Sequence, residues 1–203
     1  MDKTLWRRRQ LLLYGGLSVA GVGTALALRN TSTMLESTSQ PLAQNTSSSS
    51  TTGINPLSSA RSPLPEFQGI SQWLNSDPLS IGNLRGNIVL IQFWTFACIN
   101  CQRTLPSLVQ WHQQYASQGL KVIGVHTPEF AYEREINNIK RALQKHKITY
   151  PVAVDNDYQT WRAYHNAYWP HLFLADREGQ LRYDHIGEGA YEETERLIRQ
   201  LLG

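Results

Sequence analysis

The run Ile88-Val89-Leu90-Ile91-Gln92-Phe93-Trp94 is followed four positions later by Cys98-Ile99-Asn100-Cys101. A near-continuous apolar stretch of strand length predicts a central strand covered on both faces, which requires packing layers on either side of a sheet. Two thiols three positions apart at the opening of a helix can close into a small disulfide ring and reopen without refolding the protein. Redox exchange requires that property. They are the only two cysteines in the chain, too few for a framework of stapling disulfides and short of the ligand count of a structural zinc site.

The rest of the chain from Pro65 alternates strand-like and helix-like segments. Leu120–Thr127 and Tyr150–Val154 read as further strands. Tyr132, Ile136, Ile139 and Leu143 recur at helical spacing between them. Leu172–Ala175 and Leu181–Ile186 flank Asp176-Arg177-Glu178-Gly179, a hairpin signal. The last segment places Glu192, Glu193 and Glu195 in its first turn and Arg196 and Arg199 beyond them, an order that complements a helix dipole. Strands interleaved with helices and closed by a hairpin predict an α/β sandwich around a mixed central sheet, over residues 65–203.

The front of the chain has a different character. Arg7-Arg8-Arg9 precede an uncharged stretch from Leu11 to Leu28, so residues 1–28 read as a signal peptide or an N-terminal membrane anchor. The arginines followed by Gln10-Leu11-Leu12 resemble a twin-arginine export signal, while any export signal favours basic residues at this place. Between Thr31 and Ser62, sixteen of thirty-two residues are Ser or Thr, so residues 29–64 read as a disordered linker with too little apolar surface to offset its ordering entropy. As a flexible coil it would span about 30 Å. Either fate of the front segment places the remainder outside the cytoplasm, in the periplasm or its equivalent. Residues 1–64 hold six Lys or Arg against two Asp or Glu, and the remainder is nearly balanced, so no nucleic-acid surface is implied.

A helix beginning near Cys98 would set the first thiol beside unpaired backbone N–H groups and the positive end of the helix dipole, which favour a thiolate. Cys101, one turn further in, would be more buried. Cys98 is therefore the expected nucleophile and Cys101 the resolving thiol.

The stretch Gly86–Trp94, the Cys98-x-x-Cys101 pair and Pro106 are together similar to the thioredoxin superfamily, and specifically to its exported TlpA-like branch. The fuller set Phe93–Arg103, Val125–Phe130, Tyr150–Asp157 and Gly187-Glu188-Gly189 resembles the redoxin domain of DipZ-type proteins. This resemblance implies a thioredoxin-like fold and a thiol–disulfide oxidoreductase of the protein-disulfide reductase type, acting on exported protein thiols and disulfides. No dissociable cofactor or metal is expected, because the redox centre is the Cys98–Cys101 pair itself. It also implies that Trp169-Pro170 is a cis bond beside the disulfide, with Pro170 positioning a partner chain. Trp94 and Trp169 are expected to cover the disulfide and shape the partner groove. Gln92 stands where thioredoxins keep a buried acid, for which Glu188 is a candidate replacement. DipZ-type proteins also carry an electron-conducting membrane domain, so this chain would draw on a separate membrane donor.

Two alternatives belong to other classes. A peroxiredoxin-like thiol peroxidase with an antioxidant role is suggested by Thr95, three residues before Cys98, although Ile91 stands where that motif has proline. A copper- or zinc-binding chaperone would use both cysteines with His171 or His126. Most of the six histidines are expected at the surface, and Tyr168, Trp73, Trp111 and Trp161 in or near the core. Asp155-Asn156-Asp157 is expected to cap the following helix rather than to bind calcium.

Overall fold

The computed structural model describes residues 62–203. The expected export segment, residues 1–28, and most of the expected linker lie outside the described residues. Ser62–Leu64, placed by composition at the end of that linker, are held against the later hairpin. Leu64 is buried and its N–H donates to Gly179 O at 2.9 Å, while Leu181 N–H donates to Ser62 O at 2.8 Å.

Six strands form one sheet: β1 (Gln72–Leu74), β2 (Ile88–Trp94), β3 (Leu120–His126), β4 (Val152–Val154), β5 (His171–Ala175) and β6 (Leu181–Ile186), in the order β1-β4-β3-β2-β5-β6. β2 runs parallel to β3 and antiparallel to β5, and all seven of its residues are buried. The apolar run that opened the sequence is thus a central strand. Among the described residues four α-helices flank the sheet: α1 (Ile99–Tyr115), α2 (Ile136–Lys145), α3 (Gln159–Ala163) and α4 (Tyr191–Leu202). This mixed, helix-covered sheet is the expected thioredoxin-like architecture.

Alternation along β2 divides the core in two. Ile88, Leu90 and Trp94 pack with Cys101, Leu105, Leu108 and Trp111 of α1 and with Leu197 and Ile198 of α4. Val89, Ile91 and Phe93 face the other way, toward Leu64, Leu84, Tyr164 and Phe173. Each fully buried aliphatic side chain contributes about 1.5–3 kcal/mol of transfer free energy, so both layers bind the sheet firmly. The α1-to-β3 connection closes at Gly119, whose φ of 105° is open to glycine at little cost, and Ile88 N–H donates to its carbonyl at 2.9 Å.

Local differences from the sequence expectations have physical causes. β4 starts at Val152 rather than Tyr150 because Pro151 has no N–H to give the ladder. Tyr132 lies outside α2, on a separate turn at Ala131–Arg134, and is half exposed, whereas Glu133 beside it points inward and is fully buried. Tyr168 is exposed rather than in or near the core, and His126 and His171 are the two buried exceptions among the six histidines. The hairpin is as expected: Asp176 accepts from Glu178 N–H at 3.0 Å and Gln180 N–H at 2.9 Å, holding the turn between β5 and β6. Asp155 likewise accepts from Thr160 N–H and Trp161 N–H at the start of α3. Among the described residues no helix is long and apolar enough to cross a membrane.

Candidate active site

The C-terminal ends of β2 and β3 and the N-terminus of α1 converge on the two cysteines. Cys98 is the N-cap of α1, with an extended backbone (φ −70°, ψ 115°), and its sulfur accepts from Cys101 N–H at 3.3 Å. Capping by sulfur rather than oxygen satisfies one of the orphan N–H groups of the first turn. Cys98 is partly exposed, whereas Cys101 is buried against Leu105 and Trp94 in the main core. Burial, followed by its contact with Cys98, pushes the Cys101 thiol far above its ordinary range. Both cysteines are free thiols.

On the other side of Cys98 lies the segment before β5. The Trp169–Pro170 peptide is cis, and the Cys98 S–H faces Trp169 O at 3.9 Å. Three contacts hold that segment in place. Trp169 Nε1–H donates to Thr127 O at 3.1 Å, its ring lies against Trp161 with centroids 4.2 Å apart, and Gly187 N–H donates to Pro170 O at 2.8 Å. His171 extends the support. Its Nδ1 lies 2.7 Å from Asn166 Oδ1 and its Nε2 3.1 Å from Asp184 Oδ2.

The structure brings Cys98, Cys101, Trp169 and the buried Pro170 together, and of the other two expected site residues it sets one inside the core and one at the surface. Trp94 has no exposed surface, so it backs Cys101 from within the core and cannot line a groove. Glu188 is a surface residue paired with Arg103 at 3.2 Å, and does not replace a buried acid. At the Gln92 position, Gln92 Nε2–H donates to Thr104 Oγ1 at 2.8 Å, and Thr104 in turn donates to Cys101 O at 2.8 Å.

The buried acid near the thiols is Glu133, which motif reading missed. Its carboxyl accepts from Thr95 Oγ–H, Ala97 N–H at 3.0 Å, Glu129 N–H at 2.6 Å and Phe130 N–H at 2.8 Å. Its only trace in the sequence is an acid three positions before Ile136, a pattern shared by any helix-start glutamate. Thr95 also meets His126 Nε2 at 3.4 Å. Burial lowers His126 to about 4, so its ring is neutral at pH 7. Because Thr95 gives its proton to Glu133, Nε2–H of His126 is the donor to Thr95. Thr95 is buried and doubly engaged, so its hydroxyl is not free to receive a peroxide beside Cys98. His171 likewise faces Asn166 and Asp184 rather than the sulfurs.

Comparison with known proteins agrees with this geometry. The AhpC/TSA family model matches residues 61–184. Over 141 residues the chain is 48% identical to protein DipZ of Mycobacterium bovis, covering 68% of this chain and 20% of that protein. The chain therefore spans about a fifth of that relative's length. It is 30% identical to the thiol-disulfide oxidoreductase YkuV of Bacillus subtilis over 142 residues, covering 70% of this chain and 95% of YkuV. A solved thioredoxin-like protein in its oxidised form superposes with a TM-score of 0.65 at 31% identity, covering 70% of this chain and 95% of that one.

Proposed function

The chain belongs to the AhpC/TSA family and carries a thioredoxin-like thiol–disulfide oxidoreductase domain, and on that premise we propose that the whole protein is an exported dithiol–disulfide exchanger acting on protein partners. The observation that carries this reading is the unequal placement of two adjacent thiols, Cys98 partly exposed at the helix cap and Cys101 buried one turn inside. In the reducing direction, the Cys98 thiolate attacks a partner disulfide, forming a Cys98–partner bond and releasing the first partner sulfur as a thiolate that takes up a proton. Cys101 then loses its proton and attacks the Cys98 sulfur. The Cys98–Cys101 disulfide forms, the second partner thiol leaves, and two electrons have passed to the partner. A separate membrane-borne dithiol donor returns two electrons to the pair. The chemistry resides in the two sulfurs.

The Trp169 carbonyl, set in place by the buried Pro170 behind it, forms the wall against which a partner chain rests while bonded to Cys98. Export and tethering are supported by the arginine-led apolar stretch at residues 7–28. The Ser/Thr-rich segment after it supplies reach from the membrane.

The test is a Cys101→Ser variant expressed in the host. Attack without resolution accumulates Cys98 mixed disulfides with exported proteins, visible as thiol-sensitive bands on non-reducing gels. A Cys98→Ser control yields none. No captured protein from Cys101→Ser, or equal capture by both variants, rejects the exchange mechanism.

A further inference from the structure

A short ladder of aromatic rings leads away from the loop before Cys98. Phe96, two residues upstream of that thiol, stacks on buried His126 with centroids 5.6 Å apart, which holds its ring from the core side. Tyr132 lies against Phe96 at 5.8 Å, and Phe130 stacks on Tyr132 at 5.9 Å, both outer rings being about half exposed. Phe96 and Tyr132 also line a cavity of about 300 Å³ whose other wall comes from α2 and its cap, including Arg141, Lys145 and His146. No acidic residue lines it. α2 holds Lys140, Arg141 and Lys145 and no Asp or Glu. Among the described residues neither Arg141 nor Lys145 makes an ion pair, and both are exposed. Lys145 in the last turn complements the helix dipole, but Arg141, a turn earlier, has no such role.

Resting on the exchange reading above, we propose that this cavity is the subsite by which the protein selects partners: it receives an acidic side chain two to four residues from the partner cysteine, with an aromatic neighbour laid on the Phe130 and Tyr132 rings. The reach fits. Two residues of extended chain cover at most about 7 Å and four about 14 Å, and the cavity begins at Phe96, two residues from Cys98. Small-molecule sites measure about 300–1,000 Å³, so a cavity at the bottom of that range beside a face of rings suits a side chain. Charge decides which one. Burial, aided by neighbouring Lys145, holds His146 below its ordinary value, so the cationic wall is Arg141 and Lys145, and the Arg141 guanidinium can grip a carboxylate with two donors. The attraction is local, because residues 65–203 hold thirteen Lys or Arg against fourteen Asp or Glu. The chain's own linker is a poor occupant, since residues 29–61 hold one acid, Glu36.

The experiment reads partner choice. Two peptides, each with one cysteine and with Glu-Tyr or Lys-Tyr three residues from it, are supplied as mixed disulfides with thionitrobenzoate. The Cys98 thiolate of the reduced full-length protein attacks the peptide sulfur, a Cys98–peptide bond forms, and coloured thionitrobenzoate leaves with the electron pair of the broken bond. The acidic peptide is expected to react about fivefold faster than the basic one at low salt, a ratio that shrinks as salt screens the charges. Arg141→Glu/Lys145→Glu is expected to abolish or invert the ratio. Arg141→Lys/Lys145→Arg should retain it, as should Arg85→Glu/Lys121→Glu, which makes the same charge change at the other end of the sheet. That pattern supports the proposal. No preference in the wild type, a preference that survives reversal on α2, or its loss in either control pair overturns it. A preference that emerges only in Glu36→Gln gives the cavity to the chain's own linker, and slowing by phosphatidylglycerol vesicles without any peptide preference gives it to the membrane; each overturns the proposal. If neither the peptides nor 5,5′-dithiobis(2-nitrobenzoate) releases thionitrobenzoate with wild-type protein, the exchange reading itself fails, whereas release without preference defeats the subsite alone.

Discussion

The backbone N–H of Cys101 points at the sulfur of Cys98 across 3.3 Å, so the residue proposed to finish the reaction also helps to hold the atom that begins it. Unequal exposure makes this pair separable in solution. Iodoacetamide applied to the reduced protein is expected to modify Cys98 first, with Cys101 more than about tenfold slower until the protein is unfolded, because burial suppresses both access and thiolate. Peptide mass spectrometry over a time course checks the order, and equal labelling rates would contradict the placement of Cys101 in the core.

Gln92 spends an amide donor inside the core on Thr104, and Thr104 passes its own proton to Cys101 O. Thr104→Val keeps the shape and removes the acceptor, leaving the Gln92 amide unsatisfied at a cost of about 1–3 kcal/mol. Denaturant unfolding of Thr104→Val should show that loss, and the double variant Gln92→Leu/Thr104→Val should recover part of it.

Gly124 on β3 lies under Trp94. A Cβ there would sit 2.8 Å from the indole Nε1 and 3.3 Å from the Tyr150 ring, and rigid buried rings have little room to withdraw. Gly124→Ala is expected to destabilise the domain by about 1–3 kcal/mol and to perturb tryptophan fluorescence. An unchanged unfolding midpoint would show that the Trp94 ring moves freely.

His126 sets a pH dependence. Its folded-state value of about 4 lies below the ordinary 6.5, so between these limits the unfolded chain binds a proton that the folded one refuses. Stability should fall as pH drops from about 6.5 to about 4, by on the order of 3 kcal/mol, and then level off for this group. Asp155, raised by burial, acts oppositely as pH falls toward its ordinary value of 3.8. His126→Phe, which retains a ring against Phe96, should flatten the slope in chemical unfolding measured across that range. An equal slope in both proteins would place the dependence elsewhere.

Local signals carried much of the outcome. The continuous apolar run gave the central strand, because a strand buried on both faces needs no alternation. The hairpin around Asp176 and the dipole-matched α4 were equally legible from neighbouring residues, as was the thiol pair, since a cap and a first turn lie within four positions. Trp94 shows the limit of such signals. An aromatic at a strand end suits a surface groove or a core equally well, and only the packing of α1 over it fixed the choice.

Residue order alone determined that two thiols would share one helical turn behind a doubly covered strand, because helix and strand periods depend on adjacent residues. The tertiary structure alone decided what surrounds the sulfurs. Trp169 lies 71 positions from Cys98, and Glu133 lies 36 from Ala97; such pairs meet only when the sheet order places β2 between β3 and β5. The inward turn of Glu133 arises in the same way: a carboxylate can be buried only where enough donors converge on it, and those donors come from two separate loops.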